Sequence, residues 1–87
     1  MNATRQVKRM TPKREKWQQI KQQNPESIVL VRIGKFYEVF DDDAIVLQNV
    51  FQAPLLDNRP HTGFPASCLG KFLQGLQEAG YKSIRLI

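Results

Sequence analysis

The middle of the chain carries two short runs with the composition of adjacent β-strands. From Ser27 to Ile33 the run is β-branched and apolar, which is typical of a strand that is buried on both faces. Gly34-Lys35 follows as a tight turn, and Phe36 to Phe40 is aromatic-rich and extended in character. The sequence therefore predicts a β-hairpin at the centre of the fold.

The second predicted strand places an aromatic ring and a carboxylate side by side. Successive side chains of a strand point to opposite faces, so Phe36, Glu38 and Phe40 share one face. An unpaired buried Glu is costly, which predicts that this face is wet at Glu38. Phe36 is then a candidate exposed ring, and the commonest flat partner of such a ring is a nucleic-acid base.

Helices are predicted around this hairpin. Thr11 and Pro12 are typical of a helix start, and Asn24-Pro25 ends that first helix. Asp41 to Asp43 are expected to provide N-cap chemistry for a second helix from about Ala44 to Phe51. A third helix follows the spacing of Leu69, Phe72, Leu73 and Leu76, and Tyr81 to Ile87 forms a last strand. The predicted fold class is α/β, a small mixed β-sheet with helices packed on it.

Composition excludes several classes of protein. The chain has 87 residues, enough for one domain with a modest core. Cys68 is the single cysteine and His61 the single histidine, which excludes an internal disulfide and a structural zinc site. No apolar run is long enough to span a membrane, so we expect a cytoplasmic protein with no membrane partner and no cofactor.

The positive charge of the chain is concentrated near its beginning. Residues 1–21 contain seven basic side chains and one acid, while the net charge of the whole chain is +5. We predict a flexible basic arm over residues 1–10 and a folded module over residues 11–87. Such an arm attracts phosphates without sequence preference, although a face that only keeps the protein soluble is the plainer alternative. The candidate phosphate contacts are Lys8, Arg9, Lys13 and Arg14.

Four separated motifs carry a family resemblance. Gly34 to Phe40 resembles the Gly-x-Phe-Tyr-Glu-x-Phe motif in the N-terminal mismatch-recognition domain of the MutS DNA mismatch repair proteins. Thr11-Pro12 with Trp17, Ile20 and Lys21 resembles the opening helix of that domain, and Gly63-Phe64-Pro65 resembles its Gly-[Val/Phe]-Pro loop. Phe72-Leu73, Leu76 and Gly80-Tyr81 resemble the helix and strand that follow. The order of the motifs makes the resemblance specific.

The resemblance implies roles for individual residues. In this family a Phe-x-Glu pair meets the mispaired base, which implies that Phe36 stacks on a base and that Glu38 contacts it. Lys35 stands where the family commonly has an acid, and with Arg32 it is expected to strengthen general DNA affinity. The plainer alternatives are that Phe36 is a core aromatic and that Glu38 pairs with Lys35 or Arg32 across the strands. The implied partner is mismatched or distorted duplex DNA in a bacterial nucleoid.

Two other functions compete with DNA reading. The second helix is apolar almost all round, and Ile45 and Val46 could dock on a protein partner or on a second copy. Asp41 to Asp43 with Glu38 could hold Mg²⁺ for hydrolysis, but consecutive residues on a turn rarely converge on one ion. The chain has no P-loop, so we expect no ATPase activity and no enzyme. It is either a stand-alone reader or a fragment of a longer protein.

Overall fold

The structure, a computed structural model, describes residues 11–56 and 60–87. The predicted basic arm lies outside the described residues. The elements follow one another as helix α1 (Pro12–Gln23), strands β1 (Ile28–Ile33) and β2 (Phe36–Phe40), helix α2 (Asp41–Phe51), strand β3 (His61–Pro65), a 3₁₀ turn (Ala66–Cys68), helix α3 (Leu69–Glu78) and strand β4 (Ile84–Leu86). No helix among the described residues is both long and apolar enough to cross a membrane.

The strands form one mixed sheet in the order β3-β2-β1-β4. β1 and β2 are antiparallel, with Ile33 opposite Phe36 and Val31 opposite Glu38. β3 is antiparallel to β2, while β4 is parallel to β1. Gly34 turns the chain between β1 and β2 with a φ of 60°, a left-handed conformation that glycine adopts without steric cost. The predicted hairpin and the predicted fold class are confirmed.

Helix α1 packs on one face of the sheet. Trp17 from the helix contacts Val29, Val31 and Phe40, which are all buried, and Ile20 packs beside them. The ring centroids of Trp17 and Phe40 are 6.2 Å apart. α1 is polar except for this narrow stripe, and the stripe fixes the helix across the centre of β1 and the end of β2.

Helices α2 and α3 cover the opposite face. Their buried leucines, Leu47 and Leu76, pack against Leu30 and Val39 of the sheet. Phe64 of β3 stacks on Phe72 of α3 at a centroid distance of 4.0 Å. Alternation along β2 therefore divides its side chains between two cores, with Tyr37 and Val39 on the α2–α3 face. Phe36, Glu38 and Phe40 remain for the α1 face.

The start of α2 differs from its prediction. The helix begins at Asp41 rather than Ala44, its N-cap is Phe40, and no side chain caps it. Asp41 has a φ of 48°, in the left-handed region that Asp tolerates better than most residues. The expected capping by the three aspartates is wrong because Asp41 and Asp43 bind side chains of α1 instead.

Candidate nucleic-acid interface

The α1 face of β2 changes from open to buried along the strand. Phe36 is 52% exposed, Glu38 is half-buried, and Phe40 is 1% exposed beneath Trp17 and Arg14. Phe36 is exposed as predicted and Glu38 is only half-buried, whereas Phe40 on the same face is buried because α1 covers only one end of the strand. The open end is the candidate interface.

Phe36 is held by backbone pairing on both sides. It lies opposite Ile33 of β1 and opposite Pro65 of β3, so the strand that carries it is internal to the sheet. Phe36 lines two surface clefts, one with a volume of about 240 Å³ and the other of about 410 Å³. The ring of Phe36 is therefore attached to a backbone that is paired on both sides, and it has open space next to it.

The first cleft contains the carboxylate of Glu38. Lys13 Nζ of α1 lies 2.7 Å from Oε1 of Glu38, and His61 Nε2 of β3 lies 2.8 Å from the same oxygen. Among the described residues, Oε2 of Glu38 accepts no hydrogen bond. Neither partner is the one expected from sequence, since Lys35 and Arg32 do not pair with Glu38.

Glu38 is held in its ionised form. Burial raises the pKa of its carboxyl, but the hydrogen bonds and positive charges from Lys13 and His61 outweigh that cost and lower the pKa below its ordinary value. An ionised carboxylate only accepts hydrogen bonds, so Nε2 of His61 is the donor in this pair. The site therefore presents a fixed negative acceptor beside an exposed ring.

The second cleft is basic. Arg32 and Lys35 line it together with Phe36 and Pro65. Arg32 donates from Nε to the carbonyl of Gly34 at 2.7 Å, and its guanidinium lies 5.6 Å from the centre of the Tyr37 ring. The structure thus brings Phe36, Glu38, Lys35 and Arg32 to one end of the hairpin, with Glu38 in the first cleft and with Lys35 and Arg32 in the second.

Comparison with known proteins defines the relationship of this chain. The family model described as MutS domain I matches residues 11–85. The chain belongs to the MutS domain I family. A DNA mismatch repair protein MutS from Chlamydia trachomatis is 37% identical over 76 residues, 85% of this chain and 9% of that protein. Another from Thermotoga neapolitana is 41% identical over 76 residues, 85% of this chain and 10% of the relative.

The relationship extends to a eukaryotic protein. Human DNA mismatch repair protein Msh6 is 35% identical over 77 residues, which is 87% of this chain and 6% of Msh6. The chain spans about a tenth or less of the length of the curated relatives it matches. The predicted family resemblance is confirmed, and it concerns a single domain of much longer proteins.

Within this MutS domain I, Arg14 has a different position from the predicted one. It is 6% exposed, its Nη1 pairs with Asp41, and its guanidinium lies 4.9 Å from the centre of the Phe40 ring. A buried guanidinium with both an ionic and an aromatic partner is not free to bind phosphate. Its assignment as a DNA contact does not fit this geometry, while Lys8 and Arg9 lie outside the described residues.

Sequence reasoning also missed the buried carboxylate of Asp43. Its Oδ2 accepts from Trp17 Nε1 at 3.2 Å and from the backbone N–H of Val29 at 3.0 Å, and its Oδ1 lies 2.8 Å from Lys21 Nζ. This group joins α1, β1 and α2 in one polar cluster. The only available signal was a third consecutive aspartate at the point where the chain enters a helix, and that signal suggested capping.

The alternative sites have less support. Asp41 and Asp43 pair with different side chains, and no group of three His, Cys, Asp or Glu residues within 11–56 and 60–87 could hold a metal ion. Ile45 and Val46 are half-buried, and Val46 packs against the core. Neither belongs to the large exposed hydrophobic side chains of the described residues, which are Phe36, Leu56, Tyr81 and Leu86.

Proposed function

We propose that this chain is a DNA-binding module that recognises mispaired or distorted duplex by stacking Phe36 on an unstacked base. It acts without ATPase activity of its own, and a protein with this activity would work at the bacterial nucleoid in the cytoplasm. The exposure of Phe36 at 52%, on a strand paired on both sides, is the observation that carries the proposal.

Intercalation by an apolar side chain requires rigidity and space. Phe36 stands at the end of an internal strand and between two clefts, so a base can approach the ring without a rearrangement of the sheet. Unstacking a base step costs roughly a few kcal/mol, and the cost is lowest where pairing is already faulty. Selectivity for defects then arises from the deformability of the duplex rather than from base identity.

Glu38 provides the polar contact to the displaced base. A carboxylate on a DNA-binding surface repels phosphates, so it must lie away from the backbone or be neutralised locally. Lys13 and His61 provide that neutralisation at Oε1, while Oε2 can accept from a base. These contacts support the role that the family resemblance assigns to Glu38.

Backbone attraction would come from the basic second cleft and from the basic arm. Lys35 and Arg32 are exposed next to Phe36, where the phosphates flanking an intercalated step would pass. Lys8 and Arg9 would add contacts without base specificity. With one wedge and few phosphate contacts, the affinity is expected near the roughly 10⁻⁴–10⁻⁶ M of non-specific binding.

The competing proposal is a protein-docking module that uses Ile45 and Val46. It would be favoured by a buried Phe36 and an exposed apolar patch on α2. Phe36 is exposed and Val46 packs inward, so the described contacts favour DNA.

The test is a fluorescence-anisotropy titration of the chain and its Phe36→Ala variant. The ligands are a matched duplex, duplexes with a G·T pair or an unpaired T, and single strands, each at two salt concentrations. We expect tighter binding to the defects, lost in Phe36→Ala, because the ring is the wedge. Equal and salt-sensitive binding of all ligands, unchanged by the substitution, would refute base reading.

A matched control is Leu86→Ala, which truncates another exposed apolar side chain, on the edge strand β4. It should leave the preference for defects unchanged, since it lines neither of the two clefts that Phe36 lines. A comparable loss in both variants would indicate general damage to the fold.

A further inference from the structure

The second cleft beside Phe36 holds two cations that have no acidic partner. Its described lining residues, none of them acidic, are Arg32, Lys35, Phe36, Pro65, Ala66 and Ser67. Within residues 11–56 and 60–87, no carboxylate forms an ion pair with Arg32 or Lys35. Unpaired cations that line one cleft attract an anion, so the chemistry of this cleft is that of an anion site.

The walls of the second cleft are joined by hydrogen bonds. The N–H of Ala66, in the 3₁₀ turn, donates to the carbonyl of Lys35, in the hairpin turn, at 2.8 Å. Arg32 Nε donates to the carbonyl of Gly34 at 2.7 Å, which leaves the donors on the two terminal nitrogens of the guanidinium for a ligand. The two cations are therefore attached to a turn that is already tied to the opposite wall.

The position of Arg32 restricts which phosphates can reach both cations. Arg32 is the cross-strand partner of Tyr37, so it lies on the α2–α3 face, while Phe36 lies on the α1 face. A phosphate next to a base stacked on Phe36 must turn around the end of the sheet to reach Arg32. A diester inside a strand is tethered on both sides, whereas a phosphate at a strand end is tethered on one side only and can make this turn.

We propose that the second cleft binds a terminal phosphomonoester of a DNA strand whose last base stacks on Phe36, with Arg32 and Lys35 as the phosphate ligands. The inference rests on the stacking role of Phe36 in the proposed function and adds phosphorylated strand ends as a substrate class. A phosphomonoester carries a charge of about −1.5 to −2 at neutral pH and has three acceptor oxygens, so it can engage both cations at once.

The experiment measures fluorescence anisotropy with DNA hairpins that have a labelled loop and a single blunt end. The end carries a 5′-phosphate, a 3′-phosphate or hydroxyls only, and a closed dumbbell without an end contains only diesters. The wild-type chain should bind at least one phosphorylated hairpin about tenfold more tightly than the hydroxyl hairpin, as expected for a hydrogen bond between charged groups. The dumbbell should bind no more tightly than the hydroxyl hairpin. The two phosphorylated hairpins show which strand end is preferred.

Substitutions test the two cations and the ring. Arg32→Met and Lys35→Met should each reduce the ratio of phosphorylated to hydroxyl hairpin below about threefold, while Lys35→Arg should keep it. Phe36→Ala should weaken binding of the phosphorylated and the hydroxyl ends alike. Lys82→Met is the matched control, because it removes an exposed cation that lines neither cleft. Its ratio should equal that of the wild type.

The outcomes separate this inference from the proposed function, whose test uses mismatched and matched duplexes. If the terminal phosphate adds less than about twofold, or if the ratio survives both Arg32→Met and Lys35→Met, the cleft assignment is wrong and the reading of defects stands or falls by its own test. An equal loss in Lys82→Met would also overturn the assignment, since it would show attraction by net charge alone.

The converse result is also distinguishable. If no defect is preferred over matched duplex but the phosphate ratio depends on Arg32 and Lys35, the proposed reading of defects fails and the phosphate site stands. Should Arg32→Met not fold, Lys35→Met decides alone, because Lys35 is an exposed side chain in the hairpin turn.

Discussion

Two carboxylates on the α1 side of the sheet are bound in the same way, but with different burial. Asp43 and Glu38 each pair with a lysine from α1, Lys21 and Lys13, which lie at opposite ends of the helix. Each also takes a ring N–H, from Trp17 and His61 respectively. Asp43 has a third donor, the backbone N–H of Val29, and the two clusters also differ in burial and in the number of carboxylate oxygens that accept.

The Asp43 cluster is closed. Asp43 is 1% exposed, both of its oxygens accept hydrogen bonds, and Lys21 also donates to the carbonyl of Ser27 at 2.5 Å. At Glu38 both donors act on one oxygen and the side chain borders a cleft. A fully satisfied buried charge holds the fold together, while a partly satisfied charge at the surface remains available to a ligand.

The largest expected effect comes from breaking the closed cluster. Asp43→Ala leaves Lys21 and Trp17 without their acceptor beneath α1 and removes the acceptor of the Val29 N–H. We expect a loss of about 3–5 kcal/mol in the free energy of unfolding, as for a buried pair that loses one partner. Urea denaturation followed by circular dichroism measures it.

The exposed neighbour provides the control for that substitution. Asp42→Ala should change the free energy of unfolding by less than about 0.5 kcal/mol, since its side chain is on the open side of α2. Equal effects at the two positions would show that helix charge, and not the cluster, determines stability.

The ring donors give a second, smaller contrast. Trp17→Phe removes the N–H that donates to Asp43 inside the core. It should lower the free energy of unfolding by about 1–3 kcal/mol, since a charged acceptor loses one of its partners there. His61→Phe removes the N–H to Glu38 and should cost less than about 1 kcal/mol, because Lys13 remains and water reaches the cleft. Thermal unfolding of both variants tests the order, and a larger cost at His61 would reverse the comparison.

The sequence predicted the hairpin, the helices and the family because each depends on local signals. Alternation identified β2 from Phe36 to Phe40 with its observed bounds, and helical spacing located α3. The last strand was predicted from Tyr81 to Ile87, but β4 spans only Ile84–Leu86, and the backbone hydrogen bonds to β1 extend only one residue further at each end, to Ser83 and Ile87. A parallel edge strand is set by its neighbour and not by its own composition.

The side-chain partners could not be predicted because they join distant segments. Glu38 meets Lys13 and His61, 25 and 23 positions away along the chain, and Arg14 meets Asp41 from another helix. Charge counting placed Arg14 with the phosphate contacts because all basic residues of the N-terminal segment look alike in sequence. In the structure the neighbours Lys13 and Arg14 have different partners, Glu38 and Asp41.

Replacing each carboxylate by its amide should give a third difference between the two clusters, with smaller losses in the free energy of unfolding. Asp43→Asn should cost about 2 kcal/mol, because the amide has one acceptor oxygen for three donors and places an NH₂ group against one of them. Glu38→Gln should cost about 1 kcal/mol or less, because its carbonyl oxygen can accept from both Lys13 and His61. Chemical denaturation at pH 7 measures both, and equal costs would mean that burial does not distinguish the clusters.

The smallest effect is the pH dependence that Glu38 contributes. Burial raises the pKa of the Glu38 carboxyl, but Lys13 on α1 and His61 on β3 lower it in the folded state below the ordinary value of 4.5. The residue opposite Glu38 on β1, Val31, is apolar and adds no charge. A lowered folded pKa gives stability that is fully present above the unfolded pKa and is lost as the pH falls through the folded pKa. The difference in unfolding free energy between the wild type and Glu38→Gln should therefore be constant above about pH 5.5 and shrink below about pH 4.5. Urea denaturation between pH 3 and pH 7 measures that difference, and a difference that grows on acidification would mean that Lys13 and His61 do not hold Glu38 as an anion.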